Sequence, residues 1–322
     1  MRNAFINTII DACKEREDIF VISGDAGLGV FDDFKETHPD RFLNLGVAEQ
    51  NMASMAAGMA LAGYKVVMYN IIPFLFYRCY EQIRNDICYQ ELPVIMAGIG
   101  SGLTYSPQGM THYSVEDVAL ARTLPNLQVI SPIDPIEARL AAKYALDAKA
   151  PVYVRLAKRG EPDLHKTADF NIREPRTLVE GSDTAILFYG SLGEEALKAA
   201  EKLYALGVFP KVISVPFLQP LGEARLGELL KGVKKIVTVE EHYSKTGLGA
   251  IIDDFLRRRK HAAELIKLGV ADGFIHEILD NAGMRKKFGI DAEGIVRALM
   301  NFEPMKKEAP DGKANEYYNS LA

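Results

Sequence analysis

The sequence has no tryptophan and only three cysteines, Cys13, Cys79 and Cys88, in 322 residues. None sits in a CxxC or other metal-ligand spacing. That excludes a zinc ribbon, a thioredoxin-type pair and a disulfide scaffold, and leaves reduced, buried thiols in a cytoplasmic protein as the expectation. Charge of one sign is also lacking. The 38 Lys and Arg and 43 Asp and Glu residues give a net charge of −5, mixed along the chain, with no nucleic-acid patch and no polybasic membrane anchor. Apolar runs are short or broken by polar residues, so no membrane span is expected. The opening MRNAFINTIIDACKERED has no signal-peptide core and reads as an amphipathic helix.

What is present is alternation. Apolar, β-branched runs at 19–23, 65–70, 92–98, 127–131 and 151–155 are separated by helical patterns around 48–62, 74–90, 114–123 and 134–147. Such runs predict a mostly parallel sheet covered by helices on both faces. A charged, proline-bearing stretch follows, and the pattern restarts with strands at 184–190, 210–215 and 234–241 and helices at 193–207 and 247–259. The expectation is an α/β protein of two domains, at 1–160 and 183–303, joined by a linker at 161–182 and ending in a polar tail at 304–322.

Four stretches carry candidate chemistry. SGDAGLG (23–29) closes the first strand; it is neither a P-loop nor GxGxxG, and it puts Asp25 where α/β sheets place ligands. FLNLGVAEQNMASMAAGMALAGY (42–64) sets Glu49 at the start of an otherwise dry helix. Glu49 can serve the helix dipole, but a carboxylate taken out of water needs a partner, and one that shares a proton with a ligand nitrogen suits catalysis. Ala53, Ala56, Ala57 and Ala60 on that helix suit close approach by a partner helix that seals the site. In PFLFYRCYEQIRND (73–86), aromatic side chains can stack on a flat heterocycle near Arg78 or Arg84. The loop at 102–113 carries Gln108 and His112 ahead of a helix with Ser114 as its expected N-cap. VRLAKRG (154–160) offers Arg155, Lys158 and Arg159 as surface charge or as a phosphate clamp.

Taken in order, these blocks resemble the C-terminal portion of transketolase and the matching part of 1-deoxyxylulose-5-phosphate synthase. RFLNLGVAEQNMASMAAGMALAGY, GMTHYSVEDVALARTLPN, VISPIDPIEA, PVYVRLAKRG and VTVEEHYSKTGLG carry the resemblance, which covers nearly the whole chain. It implies a pyrimidine-binding domain and a transketolase C-terminal domain, with thiamine diphosphate as cofactor. It also implies a split enzyme. An N-terminal partner subunit would carry the diphosphate-binding domain and hold most of the contacts to Mg²⁺ or Ca²⁺, in an α2β2 assembly acting on a sugar phosphate.

The resemblance assigns Glu49 to N1′ of the cofactor's aminopyrimidine and one of Phe74, Phe76 or Tyr77 to stacking on that ring. It places Asp25 near the thiazolium, His112 on the donor's hydroxyls, and Arg155, supported by Arg159, on the substrate phosphate. An acidic residue that transketolases carry before the histidine block is replaced here by Pro107 and Gln108, so the acceptor is expected to be a modified or deoxy sugar, or another aldehyde. The alternatives are a deoxyxylulose-phosphate-synthase-like enzyme, the β subunit of a 2-oxo acid dehydrogenase, and a silent paralogue; intact Glu49 and His112 argue against the last.

Overall fold

The computed structural model describes residues 1–158 and 160–300; Arg159 and the expected polar tail lie outside the described residues. Twelve strands are described: β1 (Ile19–Ser23), β2 (Phe42–Asn44), β3 (Lys65–Ile71), β4 (Ile95–Ile99), β5 (Gln128–Ile130), β6 (Val152–Leu156), β7 (Arg176–Val179), β8 (Thr184–Phe188), β9 (Lys211–Ser214), β10 (Phe217–Gln219), β11 (Lys235–Tyr243) and β12 (Glu264–Val270). They form a seven-stranded sheet, β10-β5-β6-β4-β3-β1-β2, and a five-stranded sheet, β12-β11-β8-β9-β7. Every pairing is parallel except β10 with β5 and β7 with β9. β3, β4 and β6 are buried almost throughout. This is why they read as continuous apolar runs: helices cover both faces, so no strand position needs to be polar.

Helix Pro135–Asp147 shows how local sequence sets these elements. Asp134 accepts from the Glu137 N–H at 2.7 Å, Glu137 reaches back to the Ile133 N–H at 2.9 Å, and proline occupies the first turn.

Several expectations change. The segment at 161–182 contains β7, an edge strand of the second sheet, and buries His165 and Ile172. β10, from the second half of the chain, joins the first sheet. The pattern at 74–90 is not one α-helix; wide π-helical turns at Pro73–Tyr77 and Ile83–Cys88 flank a short α turn, Tyr80–Gln82. Ser114 does not cap a helix. Its Oγ accepts from the Gly102 N–H at 2.6 Å and donates to the Gly100 carbonyl at 3.0 Å, and the helix begins at Asp117. Ala53, Ala56 and Ala57 are buried, and the helical turn that packs on their helix is this chain's own Ile83–Cys88.

The two domains share a packed junction. One apolar cluster runs from Met52 and Met68 in the first domain to Leu187, Ile252 and Phe255 in the second. Through that junction passes Arg155, only 2 % exposed on its side chain. Its Nε donates to Asp117 Oδ2 at 2.7 Å, and its Nη2 donates to the carbonyls of Ser114 at 2.8 Å and Glu241 at 3.0 Å.

Candidate active site

β1, β3 and β4 lie side by side, and their C-terminal ends open into a cleft of about 340 Å³. This is the edge at which parallel sheets bind ligands, because successive loops diverge there and leave room. Gly24 and Asp25 follow β1, Asn70 and Ile71 end β3, Ile99 ends β4, and Glu49, Phe74 and Arg78 close the wall.

Glu49 is the first residue of helix Glu49–Leu61 and is 3 % exposed. Its Oε2 accepts from Arg78 Nη1 at 2.8 Å, and its Oε1 accepts from Asn70 Nδ2 at 3.4 Å. Asn70 is also buried, and its amide is fixed by a 3.0 Å bond to the Gly24 carbonyl. A Cβ on Gly24 would stand 2.5 Å from Asn70 Nδ2 and 3.2 Å from Glu49 Cγ, so glycine is required for the loop to pass this carboxylate. The loop then turns through positive φ at Asp25, Gly27 and Gly29. Asn44 Oδ1 steadies it by accepting from the Asp25 N–H at 2.9 Å and the Gly46 N–H at 3.0 Å. Asp25 is exposed in the cleft, and Leu28, at 98 %, and Val47, at 74 %, stand exposed on its lining.

Phe74 is half-buried on the cleft wall. The Arg78 guanidinium lies over its ring, 4.8 Å from the centroid, and His112 meets the ring at 5.3 Å and 78°. Tyr105, another cleft residue, approaches His112 at 6.1 Å. The structure therefore brings Asp25, Glu49 and Phe74 onto one cleft and sets His112 beside it. Gln108 lies exposed on the turn Ser106–Gln108 of the same loop.

Three expected site residues are elsewhere. Phe76 is fully buried and stacks on Tyr153 at 4.6 Å, so it cannot face a ligand. The Tyr77 hydroxyl donates to Glu116 at 2.9 Å, away from the cleft lining. Arg155 is consumed by the domain junction and has no face left for a phosphate. Phe76, two positions on from Phe74, points to the opposite side in any helical turn, and the wider π spacing carries Tyr77, three positions on, off the Phe74 face.

Asn70, Tyr69, Tyr105 and Arg2 were not singled out by sequence, yet all line the cleft. Asn70 had a signal, as an amide side chain near the end of the otherwise mostly apolar run of β3. Arg2 and Tyr105 had none, because loop and helix placement across the sheet decides their position.

Chemically, the cleft offers a buried carboxylate beside an aromatic face. A flat, nitrogen-bearing heterocycle fits both: a ring nitrogen can meet Glu49 while the ring packs on Phe74. Among the described residues, no group of three or more His, Cys, Asp or Glu is placed to hold a metal ion, and no helix is long and apolar enough to cross a membrane.

Residues 1–161 match the family model described as transketolase, pyrimidine binding domain, and residues 174–295 match transketolase, C-terminal domain. The chain is 33 % identical over 298 residues to an apulose-4-phosphate transketolase subunit of Actinobacillus succinogenes, covering 92 % of this chain and 96 % of that one. It is 32 % identical to a 1-deoxy-D-xylulose-5-phosphate synthase of Caldanaerobacter subterraneus, covering 92 % of this chain but 48 % of the synthase. A solved structure described as a split gene transketolase, inactive beta4 tetramer, superposes with a TM-score of 0.83 at 32 % identity, over 93 % of this chain and 96 % of that one. With both of its domains matched in order and relatives of this identity along nearly its full length, the chain belongs to the thiamine-dependent transketolase family.

Proposed function

We propose that this chain is the C-terminal subunit of a split transketolase that moves a two-carbon ketol unit from a ketose donor to an aldehyde acceptor. The observation that carries the reading is Glu49, a buried carboxylate facing a cleft with an aromatic wall. Thiamine diphosphate, when bound, supplies the carbon nucleophile and the electron sink of ketol transfer. In this reading Glu49 holds the hydrogen bond to the pyrimidine N1′, and its burial strengthens that bond by excluding water. Phe74 packs on the pyrimidine, and Asp25 and Asn70 border it. His112 hydrogen-bonds the donor's hydroxyls, and Gln108 meets the substrate's outer end. Mg²⁺ or Ca²⁺ is held mainly by an N-terminal partner subunit carrying the diphosphate-binding domain.

Exposed Leu28 and Val47 on the cleft lining support a protein partner over the opening. Relatives that are each named as one subunit of a transketolase, and a solved relative described as an inactive beta4 tetramer of a split transketolase, support an α2β2 assembly in which this chain needs its partner. The relatives' names point to apulose 4-phosphate or a related sugar phosphate as substrate.

The test is co-expression with a chain carrying the diphosphate-binding domain, then a ketol-transfer assay with thiamine diphosphate and Mg²⁺. Transfer should require both chains. Turnover by this chain alone would remove the partner from the reading; no transfer by the pair with any sugar phosphate tried would remove the reading itself.

A further inference from the structure

Arg78 lies where the proposed function puts something else. Its planar guanidinium donates to Glu49 Oε2 at 2.8 Å and covers the Phe74 ring at 4.8 Å. Those are the two surfaces that a pyrimidine would use: one carboxylate edge and one aromatic face. His112 is already against the same ring, at 5.3 Å and 78°. A flat group seated on the cleft side of Phe74 and paired to Glu49 would meet this guanidinium on both surfaces.

The two ends of the Arg78–Glu49 pair differ in solvent access. The Glu49 side chain is 3 % exposed and that of Arg78 is 43 % exposed. A carboxylate buried that deeply is costly without a partner. The guanidinium can instead swing into water at little cost, because it is already part-hydrated and its stem is flexible. Asn70 is not interchangeable with it; its amide is tied to the Gly24 carbonyl at 3.0 Å and stands 3.4 Å from Glu49.

We propose that Arg78 is a displaceable stand-in for the cofactor's pyrimidine, pairing Glu49 and covering Phe74 until the ring takes its place. The proposal rests on the cofactor reading above. Its consequence runs against the usual effect of deleting a site residue. Because the cofactor competes with Arg78, only the population in which Arg78 has left is competent to bind, and apparent affinity falls by that fraction. Removing Arg78 should tighten binding while destabilising the unliganded subunit.

The experiment is calorimetric titration of thiamine diphosphate, with Mg²⁺, into the complex of this chain with its partner subunit, together with melting of this chain alone. Arg78→Met should bind about 5- to 10-fold more tightly and melt at a lower temperature. Arg78→Lys, which can pair with Glu49 but cannot lie flat on Phe74, should fall between. Unchanged or weaker binding by Arg78→Met would overturn the proposal and make Arg78 a residue that stays on Glu49 to position it. If that variant does not fold, a cofactor-bound structure of the unaltered complex decides. An Arg78–Glu49 separation beyond about 4 Å supports displacement, and a retained hydrogen bond overturns it. An unaltered complex that takes up no thiamine diphosphate overturns the cofactor reading and this proposal together, whereas uptake without the Arg78 effect overturns this proposal alone.

Discussion

Replacing Arg155 with leucine tests whether this side chain is part of the domain junction or of a phosphate site. The substitution removes three charge-assisted hydrogen bonds, to Asp117, Ser114 and Glu241, at 2.7, 2.8 and 3.0 Å. It leaves Asp117, which is fully buried, with the Tyr153 hydroxyl at 2.7 Å on Oδ2 and no partner on Oδ1. Breaking a buried ion pair from one side costs about 3–5 kcal/mol, mostly because the remaining charge is stranded. For a chain of this size that is a fall in melting temperature of roughly 5–8 °C if unfolding is cooperative. The assay is urea and thermal unfolding, read beside the KM for a phosphorylated substrate in the assembled enzyme. Arg155→Leu should lose stability with little change in KM, and a second substitution, Asp117→Leu, should restore much of the loss by removing the stranded carboxylate. A variant of unaltered stability whose KM for phosphorylated substrate rises tenfold or more would refute the reasoning and return Arg155 to the substrate.

The other predictions concern the cleft and the buried acids. Glu49→Gln should keep the fold and lower ketol-transfer turnover by about 10²- to 10⁴-fold, the usual range for a group that moves or shares a proton; turnover within twofold of the unaltered enzyme would take Glu49 out of the mechanism. Phe74→Ala should weaken thiamine diphosphate binding by about 2- to 10-fold with a small stability loss. Phe76→Ala, in contrast, should cost about 3–5 kcal/mol of stability, and equal effects on binding and folding from the two variants would contradict their different placement. Burial pushes the Glu137 carboxyl from 4.5 up to about 8, so the folded state binds its proton more tightly than the unfolded chain does. Stability from this group is therefore full at low pH and declines as pH rises toward 8. His242, pushed by burial down to about 4 from 6.5, acts in the opposite sense at lower pH, and Glu240, pushed by burial up to about 7, acts in the same sense as Glu137 up to that point, so the window from about 7 to 8 reports Glu137 more cleanly. There, Glu137→Gln should flatten the fall in urea midpoint; an equally steep fall in the variant would show that another group titrates.

Much of the fold was legible in the chain. The apolar runs of β1, β3, β4, β5 and β6 stand within three residues of their expected positions, because a strand buried on both faces must be apolar along its whole length. β2, β7, β10 and β12 were missed for the converse reason: all four are edge strands, each short or only partly buried, with no continuous apolar run to announce it. Glu49 was legible because a carboxylate opening a dry helix contradicts its surroundings. Asp25 and His112 were legible because each follows a strand end or closes a glycine-rich loop.

What the chain alone determined was composition-driven and local: two α/β domains, the class of each element, the carboxylate that has to find a partner, and the family blocks in their order. Tertiary structure decided which neighbours each side chain meets. It put Phe74, and not Phe76 or Tyr77, on the cleft wall, because the helical turns after β3 aim the three rings at different neighbours. It turned Arg155 from a candidate phosphate ligand into a buried tie between domains, because only the packed junction brings Asp117, Ser114 and Glu241 to it. It also laid Arg78 across Glu49 and Phe74. Period and polarity fix which face of an element is dry, but long-range packing fixes what lies against that face, and no local pattern encodes a contact between residues that meet only after the sheet has formed.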